Sequence, residues 1–207
     1  MYLPDHFVPD DDAVRDLLRH HGAADLITAT AEGLVATFLP FVYDEDAGVL
    51  RGHLARNNEQ WRRPALGEAL VIVHGPDAYV SPSWYPGKAE HGRVVPTWNY
   101  ITAHVHGQLT VHDDHAWVGR LVRDLTEKHE AGRERPWDVD DAPAKFIDGQ
   151  LRAVVGVEVA ITRVEAKWKL SQNRSPADVD GVVAGLRAEG DEVSAAAVAR
   201  ARRRPAT

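Results

Sequence analysis

Apolar and polar positions alternate most cleanly over residues 101–111 (ITAHVHGQLTV). Ile101, Ala103, Val105, Leu109 and Val111 share one side; Thr102, His104, His106, Gln108 and Thr110 share the other. A period of two predicts a half-buried strand with one wet or ligand-facing side. Residues 152–165 alternate in the same way, with Val155, Val157, Val159 and Ile161 in register. Residues 24–30, 34–41 and 49–55 read as earlier strands, separated by the turn-like stretches Ala31-Glu32-Gly33 and Asp44 to Gly48. Residues 68–74 and 77–81 are expected to pair as a hairpin around Gly75-Pro76.

Around these strands the period changes to that of helices. Asp10 to Asp12 supply a cap and first-turn acids for a helix with Val14, Leu17 and Leu18 on its apolar face and Gly22 at its end. A short helix carrying Trp61 follows Arg56-Asn57-Asn58. A longer one starts near Asp114, with Trp117, Leu121, Val122 and Leu125 on one face, and another spans about 141–149. Ser175-Pro176-x-Asp178 combines a cap, a proline at the first helical position and an acid at the third. Val179, Val182, Val183 and Leu186 form that helix's stripe, and Gly190 ends it. An Ala/Arg-rich helix closes the chain from about 192 to 203. The order is helix, about five strands, helices, one long strand, helices. It predicts an α+β fold, an antiparallel barrel or meander with helices packed outside. The expected division is one domain over 1–190 and an Ala/Arg-rich helical tail over 191–207.

Composition narrows the function. The 207 residues suffice for one domain with a proper core. With no cysteine there is no disulfide, thiolate metal site or cysteine nucleophile, which agrees with a cytoplasmic location. The first residues, MYLPDHFVPDDD, lack the basic and apolar regions of a signal peptide, and no apolar run approaches a membrane span. The net charge is −7, whereas a dedicated DNA-binding domain carries a basic face. The one basic cluster is Arg200, Arg202, Arg203 and Arg204. A short tail of this kind is commonly a solvated helix end; a DNA contact through it would collapse as salt rises.

Four polar-aromatic segments are candidates for chemistry. In Gly52-His53-Leu54-Ala55-Arg56-Asn57-Asn58, a strand runs into the opening of a short helix, where unpaired N–H groups and an arginine fork could seat a phosphate. In the plainer reading Asn57 or Asn58 caps the helix and Arg56 is solvated. Tyr79-Val80-Ser81-Pro82-Ser83-Trp84-Tyr85 offers rings for stacking and hydroxyls for a phosphate or ring edge, or else a Pro-anchored loop whose aromatics fill a satellite core. Val95-Pro96-Thr97-Trp98-Asn99-Tyr100 places Thr, Trp and Asn at a strand entrance. Lys167-Trp168-Lys169-Leu170-Ser171-Gln172-Asn173-Arg174 is dense in donors and suits an anion, or is a solvated basic loop. His104 and His106, about 6.5–7 Å apart on one strand face, suit a haem face or a metal pair, but no acid flanks them as a third ligand and no metal site is expected. Gly-rich phosphate loops and nucleophile-elbow motifs are both absent from the sequence. The residues alone thus lead to an α+β protein with one polar-aromatic site for a planar, anionic ligand.

At these segments the chain resembles the PaiB family of FMN-binding negative transcriptional regulators. The resemblance rests on Met1-Tyr2-x-Pro4-x-His6-Phe7, Gly52-His53-Leu54-Ala55-Arg56-x-Asn58, Tyr79-x-Ser81-Pro82-x-Trp84-Tyr85, Val95-Pro96-Thr97-Trp98-Asn99-Tyr100 and Lys169-Leu170-Ser171-Gln172-Asn173-Arg174, in the family's order, over residues 1 to about 187. The family usually has Asn-Pro where this chain has Asn58-Glu59, and the tail after Gly190 lies outside the likeness. The resemblance implies an antiparallel split β-barrel of the FMN-binding type with peripheral helices, a homodimer with FMN at the subunit interface, and a role in repressing genes. It implies that His53, Ala55, Arg56 and Asn58 face the phosphate and ribityl chain. It also implies that Ser81, Ser83 and Trp84 line the ring or phosphate, and that Thr97, Trp98 and Asn99 approach the ring edge. Lys169, Ser171, Gln172 and Arg174 are expected to reach in from the partner subunit or close the site. A flavin-dependent oxidoreductase or flavin reductase of the split-barrel type is the alternative, since hydride transfer through the flavin needs no acid or base from the protein. A haem-binding split barrel using His104 or His106 is the second alternative.

Overall fold

β1 (Ala23–Thr30) and β2 (Gly33–Asp44) form an antiparallel hairpin, with Thr30 opposite Gly33 and Ala24 opposite Leu39. Gly33 takes φ +117°, which the tight turn requires and a side chain would resist. β3 (Val49–Ala55) pairs with β2 and with β6 (Val154–Lys169), placing Leu50 opposite Val159 and Ala55 opposite Val154. β4 (Ala69–Val80) pairs with β1, and β5 (Thr97–His112) lies between β6 and β4. The six strands close an antiparallel barrel in the order β1-β2-β3-β6-β5-β4 in this computed structural model, which describes residues 1–202.

The chain divides into two units. One comprises Arg15–Val73 and His104–Val164 and holds part of every strand. Alternation predicts its interior: Leu26, Leu39, Phe41, Leu54, Val71, Val105, Val155, Val157 and Val159 are all buried. Each fully buried side chain of this kind contributes about 1.5–3 kcal/mol. α3 (His115–Glu130), capped by Asp114 through the Trp117 amide (2.7 Å), packs Val118, Leu121 and Leu125 toward β2 and β3. α4 (Ala144–Leu151) lies beside it.

The other unit comprises Met1–Val14, His74–Ala103 and the chain from Glu165 onward. It holds one end each of β4, β5 and β6, a short helix α2 (Gly87–His91), α5 (Pro176–Ala188) and α6 (Glu192–Arg202). The first helix, α1 (Asp11–His20), begins in this unit. α5 starts at the expected Ser175 cap, which accepts from the Asp178 amide (3.2 Å). Ala195, Ala197 and Val198 of α6 are buried, and α6 packs on α5. Arg203 and Arg204 of the basic tail lie outside the described residues.

One expectation is corrected. Residues 68–74 and 77–81 are a single strand, β4, and Gly75-Pro76 is not a turn. Burial falls on odd positions at Ala69, Val71 and Val73, then on even ones at Ala78 and Val80. This change of parity is what an extra residue in a bulge produces. A Cβ on Gly75 would come within 2.7 Å of the Ile101 side chain, so glycine is there for close strand approach.

Candidate functional site

In the unit that holds Met1–Val14 and α6, β5 enters at Thr97 and β6 leaves at Lys169. Between β6 and α5 the chain turns through Ser171, whose φ of +66° is the only left-handed value at a non-glycine among the described residues. Such a conformation costs free energy and is retained where surroundings impose it. Here the surroundings are identifiable. The Ser171 hydroxyl and the Asn99 side-chain amide bond each other at 3.0 and 3.2 Å, both residues being buried. Gln172 braces the same turn, accepting from the Leu170 amide (2.7 Å) and donating to the Trp168 carbonyl (2.6 Å). Its polar atoms face the backbone of the turn, which is a structural use.

This turn and the start of β5 line an open cleft with Thr97, Asn99, Lys169, Ser171, Asn173 and Arg174. Its cavity volume is about 50 Å³, far less than the roughly 300–1,000 Å³ that encloses a drug-sized ligand. The cleft therefore suits one end of a larger molecule. The Lys169 ammonium donates to the Thr97 hydroxyl and the Trp98 carbonyl, both neutral. Burial lowers its pKa, and the positive charges of Lys167 and Arg174 lower it further. The Arg174 guanidinium lies 5.0 Å over the Tyr85 ring. Among the described residues no carboxylate lines the cleft, so its cations are left for an anionic ligand.

Trp98, half exposed, is held by its indole N–H on Asp77 (3.0 Å) and tilts against Tyr79, ring centroids 6.2 Å apart. Ser81 accepts from the Ser83 amide (3.2 Å) as the cap of a 3₁₀ turn, and the Ser83 hydroxyl accepts from Lys88 (3.2 Å). Trp84 is seated on α5: a Cβ on Gly185 would meet its ring at 2.2 Å. Trp84 is half-buried in this packing.

His53, Ala55, Arg56 and Asn58 belong to the barrel unit. His53 is half-buried, and desolvation lowers its pKa. Arg56 donates to both carboxylate oxygens of Asp113 (3.0 and 2.6 Å) and to the carbonyls of Arg152 (2.7 Å) and Val154 (3.2 Å). The bidentate pair holds Asp113 below the usual carboxylate range. Asn58 accepts from the Gln60 amide (2.9 Å) and donates to the Thr37 hydroxyl (2.9 Å), capping the 3₁₀ turn Glu59–Arg62. These are the bonds of a cap and a strut.

The structure thus brings Thr97, Asn99, Lys169, Ser171 and Arg174 into one cleft, with Trp98 adjoining in sequence. Asn173 completes the lining, and Tyr85 is buried beside Ser171 and Arg174. Both were inside the motifs read from the sequence; only their side-chain environment was invisible there. Among the described residues no cluster of His, Asp and Glu could hold a metal ion.

Residues 1–163 match the family model described as "Putative FMN-binding domain". The chain is 31% identical over 196 residues to the protease synthase and sporulation protein PAI 2 of Bacillus subtilis (strain 168), covering 91% of this chain and 90% of that protein. The chain belongs to the PaiB family. FMN is the cofactor of this PaiB-type chain. The fold resembles that of the conserved hypothetical protein Rv2991 of Mycobacterium tuberculosis, with TM-score 0.59, 12% identity and coverage of 85% of this chain and 94% of that one. It also resembles the FAD and heme binding protein of Mycobacterium smegmatis, with TM-score 0.56, 19% identity and coverage of 83% and 77%. The PaiB-type fold is an α+β antiparallel split barrel with peripheral helices.

The residues present fit FMN. Its phosphate is a dianion, and among the described residues the cleft offers two cations without an acid, several neutral donors, and beside Ser171 and Arg174 the buried Tyr85 hydroxyl, which has no hydrogen-bond partner there. When bound, FMN supplies a planar redox-active ring.

Proposed function

We propose that this protein is a homodimeric FMN-binding negative regulator of transcription whose cleft at Thr97–Asn99 and Lys169–Arg174 receives the flavin phosphate. The observation that carries the flavin part is Lys169, a half-buried ammonium beside Arg174 whose partners among the described residues are neutral oxygens. A phosphate entering there gains charge-assisted hydrogen bonds and breaks no existing ion pair. Arg56, by contrast, already holds a carboxylate.

The homodimer is supported by the outer face of β1, β2 and β4. Cross-strand pairing aligns Ala36, Ile27 and Leu70 in one row, and Phe38 and Ile72 on either side of Asp25 in the next. Leu34 is 79% exposed and Phe38 66%. A contiguous apolar patch on a sheet face marks an interaction surface. The regulatory part is supported by the identity to the Bacillus subtilis protein, whose name ties it to protease synthesis and sporulation. The net charge of −7 favours regulation without a firm grip on DNA.

Titration of the apoprotein with FMN and with riboflavin, which lacks the phosphate, tests the cleft. FMN is expected to bind near one per chain, and Lys169→Ala to weaken FMN by ten- to a hundredfold while leaving riboflavin unchanged. Equal FMN affinity in wild type and Lys169→Ala removes the phosphate from this cleft. For the regulatory role, transcripts are compared in cells with and without the gene. Raised transcripts that wild type represses again, and Lys169→Ala does not, support it. Unchanged transcripts, with NADH oxidised by the FMN-loaded protein, would make it a reductase.

A further inference from the structure

Tyr85 is 2% exposed, and its hydroxyl, out of reach of solvent, has no hydrogen-bond partner among the described residues. Burying a hydroxyl unpaired costs about 1–3 kcal/mol, and phenylalanine would fill the same space without that cost. The environment is one-sided. Ser171 and Arg174, both lining the cleft, flank the hydroxyl without bonding it in good geometry. Arg174 lies over the ring and screens it. Asp178 is near, but its carboxylate is engaged by the Gly87 amide (3.2 Å) at the start of α2.

Arg174 is the movable part of this arrangement. It is a long side chain resting on an aromatic face, and no acid among the described residues pairs with it. To reach the hydroxyl, an anion seated beside Lys169 must draw the guanidinium toward itself.

We infer that Tyr85 is a further ligand-binding residue of the cleft, its hydroxyl donating to the phosphate that Lys169 and Arg174 receive. The inference rests on the reading of the cleft as the phosphate seat. It assigns the unpaired hydroxyl a partner: a tyrosine O–H to an anionic oxygen is a charge-assisted bond, stronger than a neutral one. It also explains why the segment Ser81–Tyr85 ends in tyrosine although its aromatic packing needs only a ring.

Tyr85→Phe keeps the ring and removes the donor. Affinities for FMN and riboflavin are measured by fluorescence titration, and the melting temperature of the apoprotein is recorded beside them. The expected result is an FMN affinity about tenfold lower, an unchanged riboflavin affinity, and a melting temperature equal to or above that of wild type. A merely structural tyrosine would lower the melting temperature or weaken both flavins alike, and either result overturns the inference. If FMN affinity survives Tyr85→Phe but falls in Lys169→Ala, the cleft stands and Tyr85 is not a ligand. If it survives both, the phosphate-seat reading falls and the Tyr85 inference with it.

Discussion

The backbone of Gly181 lies against the carbonyl oxygen of Trp84, so close that a Cβ at 181 would come within 1.9 Å of it. One turn further along α5, Gly185 leaves room for the indole itself. The two glycines form a slot on the helix, and the 3₁₀ turn before Tyr85 is pinned there by its tryptophan. Gly181→Ala is therefore expected to destabilise the protein by about 1–3 kcal/mol, the usual cost of overpacking. Urea unfolding checks it, with a lower midpoint and an unchanged slope expected. An unchanged midpoint would mean that the slot is loose.

His21 sets an acid limit. Its Nδ1–H donates to the Leu18 carbonyl (2.7 Å), so the unpartnered Nε2 is the site that must take a proton. Burial, then the charges of Lys128 and His129, lower its pKa from 6.5 to about 4. Between these values the unfolded chain binds the proton and the folded chain does not, so stability falls as pH drops through that window. The full span is worth about 3 kcal/mol. His21→Gln should flatten the dependence between pH 6.5 and 4 in denaturant titrations.

Lys128 acts at the alkaline end. It reaches from α3 to the Phe41 carbonyl (2.7 Å), and burial lowers its pKa from 10.5 to about 8. From pH 8 to 10.5 the unfolded chain holds the extra proton, so stability rises with pH over that range. Lys128→Met should remove this rise.

Arg56 and Asp113 are coupled through two parallel hydrogen bonds. Arg56→Ala and Asp113→Ala should each lower the melting temperature, and the double variant should lie above the sum of the two losses. Additive losses would deny the coupling. A tenfold loss of FMN affinity in Arg56→Ala would show a phosphate contact at this strand end too, as the family resemblance implies.

The apolar face of β2 makes a prediction about assembly. Leu34→Asp with Phe38→Asp places two charges on it, and light scattering should report a monomer where wild type is a dimer. A dimer that survives both changes uses another surface.

The residues themselves determined much of this protein. The alternation of Val155, Val157 and Val159 and of Ile101, Ala103 and Val105 dictated strands with one buried face, because side chains on a strand repeat every two residues. The Ser175-Pro176-x-Asp178 start of α5 was local chemistry, a cap closing on an amide three residues away. The motifs around Thr97–Asn99 and Lys169–Arg174 were visible as donor-rich stretches. Tertiary structure decided what each donor does. Arg56 and Lys169 are both cations at strand ends, yet one meets Asp113, 57 residues away, and the other meets only neutral oxygens. Trp84 and Trp98 are both aromatic residues in polar loops, yet two glycines a hundred residues on take the first out of solvent contact on one side, and the second stays half exposed. Gly75-Pro76 reads locally as a turn but lies within the single strand β4, where Ile101 on the neighbouring strand leaves no room for a side chain at 75. In each case the outcome depends on a residue far along the chain. Local pattern determines the element, whereas the free energy of a charge or a ring is set by whatever the fold places against it.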